Sequence, residues 1–144
     1  MANFQNERLA LAVMAHSVAA LALEGSLRYA KSREAFGRTL AGFQVTRHKL
    51  ADMATLVEVA REFNYRVAAR MEAGKEAVKE VSMAKNFACQ ACDRVVYDAV
   101  QLHGGYGYAK EYLVERLYRD SRVLSIGGGT TEIMKEIIGK VAQF

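Results

Sequence analysis

Residues 45–72 read VTRHKLADMATLVEVAREFNYRVAARME. Within them Leu50, Met53, Val57, Ala60, Phe63, Val67 and Met71 recur at spacings of three and four, which predicts a helix over about Val45–Glu72 with one buried face. Ala73-Gly74 ends it. The next segment, about Lys75–Leu102, carries a second stripe of Val81, Ala84, Ala88, Ala91, Val95, Ala99 and Leu102, and its alanines predict close helix approach. Gly104 stands just past its end, where a helix C-terminus favours glycine. Upstream, a helix is predicted from about Glu7 to Lys31, with Asn6 as N-cap and Glu7 at the positive end of the dipole. Its apolar run Leu9–Leu23, broken only by His16 and Ser17, predicts burial on most sides. That run is shorter than the ~20 residues of a membrane span and has no basic flank, so neither a span nor a signal peptide is expected. A short helix is predicted over Tyr112–Tyr118 and a last one over Thr130–Val141. The connection Ser32–Gly42 contains Gly37 and Gly42 and shows little periodicity. Three helices of ~40 Å joined by short connections must pack antiparallel. The predicted fold is all-α, an up-down four-helix bundle, in a single domain spanning 1–144 with no strand, linker or repeat.

The composition agrees. Proline is absent, as long unbroken helices require, and 51% of the 144 residues are hydrophobic. The formal net charge is +4, with basic and acidic residues interspersed rather than blocked. This argues against a nucleic-acid partner and suits an anionic small ligand. Cys89 and Cys92 form a C-x-x-C pair inside a helical segment, with no preceding strand and no second ligand pair, so they read as two small packed residues in a reducing cytosol.

Seven of the eleven glycines fall in residues 101–140, six of them in the clusters Gly104-Gly105-Tyr106-Gly107 and Gly127-Gly128-Gly129. Backbone freedom is concentrated there, and there a ligand is expected to approach. None of the histidines His16, His48 and His103 follows a glutamate by three, so a bundle metal site is not expected. No Walker loop is present, and Gly105-x-Gly107 lacks both the third glycine and the preceding strand of a dinucleotide fingerprint. On residue types alone the reading stops at a helical bundle with a glycine-rich ligand edge.

The blocks Arg33-Glu34-Ala35-Phe36-Gly37, Phe43-Gln44, Leu50-Ala51-Asp52-Met53, Gln101-Leu102-His103-Gly104-Gly105-Tyr106-Gly107-Tyr108, Arg119-Asp120 and Ile126-Gly127-Gly128-Gly129-Thr130-Thr131-Glu132-Ile133 occur in one order. Together they resemble the C-terminal domain of the acyl-CoA dehydrogenase family over essentially the whole chain. The resemblance implies an FAD-dependent α,β-dehydrogenation of acyl-CoA thioesters in a homo-oligomer, tetramer or dimer, with electron-transferring flavoprotein as acceptor. Carried over by residue, it implies Arg33 on the flavin pyrophosphate, with Glu34, Ala35 and Phe36 lining that site and Phe43 and Gln44 near the adenine. Gln101, Leu102, His103, Gly104 and Gly105 would meet the cofactor of a neighbouring subunit. Thr130, Thr131 and Glu132 would lie near the flavin at a helix start, and Gln5, Asn6, Arg8 and Gly129 would border the acyl-CoA.

Two departures shape the expectation. Many members carry the catalytic glutamate where this sequence has Gly128, which has no side chain to act as a base. In the isovaleryl-CoA and long-chain members the base moves to the start of the first long helix, and the matching residue is Glu7. The chain also lacks the family's N-terminal helical and middle β domains. Two other readings stay open: a non-catalytic oligomerisation module that binds no flavin alone, and a relative using the fold for flavin-dependent oxygenation.

Overall fold

A computed structural model describes residues 2–144, with side chains from Phe4 onward. Five α-helices are present: α1 (Ala2–Ser32), α2 (Gln44–Glu72), α3 (Val78–His103), α4 (Leu113–Ser121) and α5 (Thr131–Ala142). They form the expected all-α bundle. α3 is its axis and packs against each of the other four. The predicted stripes are the core: Met53, Val57, Ala60 and Val67 from α2 meet Val81, Ala84, Ala88, Val95 and Ala99 from α3. α1 contributes Ala12, Ala15, Ala19 and Ala22, all fully buried, so its backbone lies close to its neighbours. Below these, Asp98 is buried and takes hydrogen bonds from Lys49 and from Arg94 Nε at 2.7 Å.

Several expectations are corrected. Asn6 does not cap α1; the helix already runs from Ala2, so Asn6 and Glu7 lie inside it and are exposed. α1 is also not buried on most sides. Ala12, Ala15, Ala19 and Ala22 face the core, whereas Val13, Met14 and Leu21 on the other flank are solvent-exposed. At its full length α1 is long and apolar enough to cross a bilayer, as the core helix of a globular domain can also be. α3 starts at Val78 rather than near Lys75, because Ala77, at φ −138° and ψ 17°, is not helical. Finally, the connection after α1 is not strand-free. Two-residue strands β1 (Glu34–Ala35) and β2 (Arg38–Thr39) pair antiparallel, with Phe36 and Gly37 at positive φ in the turn. A 3-10 turn over Leu40–Gly42 leads on to α2.

The predicted ends hold where a cap specifies them. Gly104 follows α3 at φ 58°, and Thr130 caps α5 by accepting from the Ile133 amide at 3.4 Å.

Candidate functional site

The sequence-predicted residues fall into three groups. The first lies at the C-terminal end of α3. Arg33, Gln101, Leu102, His103, Gly104 and Gly105 line one open recess of about 590 Å³, together with Tyr29, Leu40, Tyr106 and Ala109. Arg33 sits with its guanidinium 5.3 Å from the Tyr106 ring centroid. Beneath, the His103 ring stacks on Tyr29 at 4.1 Å, and His103 Nδ1 lies 2.7 Å from the Ala99 carbonyl. Burial lowers the His103 pKa and raises that of the Tyr29 hydroxyl, in each case favouring the neutral form. Gly107 closes this corner: a Cβ there would stand 2.5 Å from the Val100 carbonyl oxygen. A guanidinium at the rim and exposed glycine backbone form a surface suited to phosphate oxygens. The resemblance assigns Gln101–Gly105 to the cofactor of a neighbouring subunit; within this chain Arg33 and Gln101–Gly105 line one recess.

The second group is the hairpin and the start of α2. Phe36 is 97% exposed at positive φ, its ring 6.5 Å from and edge-on to Phe43. Arg38 stacks over Phe43 at 3.8 Å. Glu34 and Ala35 form β1, and Gln44 pairs with His48 across one helical turn at 3.4 Å. Phe36, Phe43 and Gln44 do not line the recess of the first group.

The third group joins the two ends of the chain. Arg8 on α1 donates from Nε to the Gly128 carbonyl at 3.0 Å. Lys85 on α3, 1% exposed, donates to the neighbouring Gly129 carbonyl at 2.6 Å. Asn86 donates to the Thr131 carbonyl at 3.2 Å, while its own Oδ1 is buried without a partner. Gly128 and Gly129 have φ of 65° and 109°, and a Cβ on Gly128 would lie 2.7 Å from Leu11 Cδ1. Glu7 is one turn before Leu11 and so shares its face, toward this loop. Glu132 is exposed in the first turn of α5, its carboxyl held below the ordinary value by its own backbone N–H and by the Thr130 side chain. Gln5 and Arg8 also line a separate, mostly apolar recess of about 310 Å³ with Phe4, Val78 and Ile137. A further recess, about 440 Å³ around Arg94, Tyr97, Tyr118 and Arg119, contains none of the predicted cofactor or substrate residues.

Sequence reasoning missed Lys85, Leu11 and Tyr29. Lys85 carried a usable signal: it interrupts the apolar stripe between Val81 and Ala88. Cys89 and Cys92 are buried and unpaired, and burial pushes their thiols up to about 11 and about 12, which makes them inert packing. Among the described residues there is no cluster of three His, Cys, Asp or Glu side chains placed to hold a metal.

The comparisons with known proteins agree with this fold. The family model for the acyl-CoA dehydrogenase C-terminal domain matches residues 1–143. A probable acyl-CoA dehydrogenase from Mycobacterium abscessus superposes with a TM-score of 0.98 at 53% identity, covering 99% of this chain and 38% of that one. Subunit CarC of a caffeyl-CoA reductase-Etf complex from Acetobacterium woodii is 46% identical over 131 residues, 91% of this chain and 35% of the relative. PigA, solved with FAD and proline, has a TM-score of 0.93 at 27% identity, covering 97% of this chain and 37% of that one. The chain therefore belongs to the acyl-CoA dehydrogenase family, a family of oxidoreductases, and corresponds to its C-terminal helical domain. It spans about a third of the length of the curated relatives it matches.

Proposed function

We propose that this chain is the C-terminal domain of an FAD-dependent acyl-CoA dehydrogenase and that Glu7 is its catalytic base. The observation that carries the proposal is the Arg8–Gly128 hydrogen bond. It ties the turn bearing Glu7 to the glycine loop where other family members carry their base, so a carboxylate on α1 serves the same place. Glu7 takes the α-proton of the thioester, and Arg8 and Gly129 border the thioester. The recess of Arg33 and Gln101–Gly105 fits the diphosphate of a dinucleotide: the guanidinium neutralises phosphate charge, and the glycines let it approach the backbone. FAD bound there supplies the hydride acceptor for the β-hydrogen. Thr130, Thr131 and Glu132 offer polar groups at the start of α5. PigA, with the same fold, is described as holding FAD, which supports the cofactor.

The same reading places the chain beside the N-terminal helical and middle β domains of a longer enzyme, in a cytoplasmic homo-oligomer. The exposed Phe36, Val13, Met14 and Leu21 support burial by other protein surface. The Etf complex named for the Acetobacterium woodii relative supports an electron-transferring flavoprotein as redox partner. A second reading keeps the flavin but replaces the thioester, because PigA is described with proline as well as FAD.

The deciding measurement is anaerobic bleaching of the flavin by acyl-CoA in the assembled enzyme. Glu7→Gln should bind FAD normally and lose bleaching by several orders of magnitude. Full single-turnover bleaching in that variant would falsify the assignment of the base.

A further inference from the structure

Lys85 is an unusual residue for the middle of a bundle. It sits on the core face of α3, with buried Val81, Ala84 and Ala88 beside it, and is 1% exposed. Among the described residues no carboxylate lies within ion-pair distance of it. Its one hydrogen bond is to the Gly129 carbonyl at 2.6 Å. Burial lowers its pKa, and the proximity of Arg8 adds to this; the Cys89 side chain acts the other way. A buried ammonium without a counter-ion is costly, so a fold that keeps it there has the charge-assisted bond to the loop as the offsetting gain.

The loop it holds needs holding. Gly128 and Gly129 occupy successive positive-φ conformations, and the next residue, Thr130, caps α5. Arg8 grips the carbonyl of Gly128 and Lys85 that of Gly129. Two cations from different helices therefore fix two consecutive peptide planes. α1 sets one plane and α3 the other, so the loop cannot rotate without breaking a charged hydrogen bond.

We propose that Lys85 is a positioning residue: it locks the Gly128–Gly129 peptide planes against α3 and thereby fixes the start of α5 relative to Glu7 on α1. The inference rests on the reading of Glu7 as base for its catalytic meaning, but not for its structural content.

The test uses the 144-residue chain labelled for NMR. In the unmodified chain, a scalar coupling across the hydrogen bond between the Lys85 side-chain nitrogen and the Gly129 carbonyl carbon is expected. Its absence under conditions where couplings within the helices are resolved overturns the proposal. In Lys85→Met, which keeps the length and loses the donor, amide exchange at 130–134 should rise about tenfold or more relative to α2. Unaltered exchange there, or a uniform rise over all helices, also overturns it. Should the methionine variant not fold, the coupling in the unmodified chain decides alone. Neither readout needs flavin or thioester. If the coupling is present but the assembled enzyme takes up no FAD, the flavin reading sinks and Lys85 keeps its role; FAD uptake by the assembled enzyme without the coupling does the reverse.

Discussion

Arg8 and Gly128 are 120 positions apart in sequence and joined by one hydrogen bond of 3.0 Å from guanidinium to carbonyl. The bond makes the first long helix and the glycine loop parts of one edge. Leu11, one turn after Glu7, occupies the space that a side chain at 128 would enter.

Gly128→Ala is therefore expected to destabilise the chain on two counts. The left-handed conformation costs about 1–2 kcal/mol for a residue with a Cβ, and the Cβ meets Leu11. Thermal unfolding should show a clear drop in Tm. In the double variant with Leu11→Ala the two losses should sum to less than their separate values, since removing Leu11 relieves the contact. Strict additivity would show that the contact carries no energy.

Asp98 supplies a pH prediction. Burial alone would raise its carboxyl pKa, but hydrogen bonds from Lys49 and Arg94 outweigh burial and hold it below the ordinary value. A depressed acid contributes stability that is present above its unfolded pKa of about 4 and is lost as pH falls through the folded value. Asp98→Asn should cost about 1.5–3 kcal/mol at pH 7. The gap between the two proteins should close as the pH is lowered below about 4 in denaturant titrations. A gap that stays constant from pH 7 to pH 2 would show that the charge of Asp98 is not the source.

Cys89 and Cys92 should not react with a soluble maleimide at pH 8 in the native state. Their thiols, at about 11 and about 12, are almost wholly protonated there and are enclosed by the bundle. Both should label stoichiometrically in denaturant. Fast native labelling of either would contradict the packing described for α3.

Arg33→Ala is expected to weaken FAD binding by at least tenfold while shifting Tm by little, because Arg33 is exposed and its ring contact with Tyr106 is worth only about 0.5–1 kcal/mol. Flavin fluorescence titration of the assembled enzyme, with circular dichroism melts alongside, separates the two effects. A variant that binds FAD as tightly as the parent would remove Arg33 from the phosphate site.

The helices were legible because the apolar stripes of α2 and α3 repeat at three and four over more than twenty residues each. The glycines and Thr130 announced two ends correctly. What failed was local. Asn6 has the chemistry of a cap, but nothing in Ala2–Gln5 breaks a helix, so α1 continues through it. The hairpin of Glu34–Ala35 with Arg38–Thr39 is too short for any period-2 signal. Burial of Lys85 ran against the general exposure of lysine and needed a distant partner, the Gly129 carbonyl, that periodicity does not reveal. The outward apolar flank of α1 was misread because a run of apolar residues does not say which side the bundle will take. The resemblance named the residues of the candidate site, but the meeting of Arg33 with Gln101–Gly105 in one recess belongs to the fold.

α3 carries Lys85 near one end and Gln101 near the other, sixteen residues apart, or about 24 Å of rise along the helix axis. Those two residues belong to the two edges that the rest of the chain assembles around, so α3 works as a ruler between them. A single-residue insertion or deletion between Asn86 and Val100 would turn one edge against the other by about 100°, even if every side chain at both edges were preserved. The length of α3 is thus constrained separately from its composition. Lineages of this domain should tolerate substitutions along that stretch far more readily than changes in its residue count.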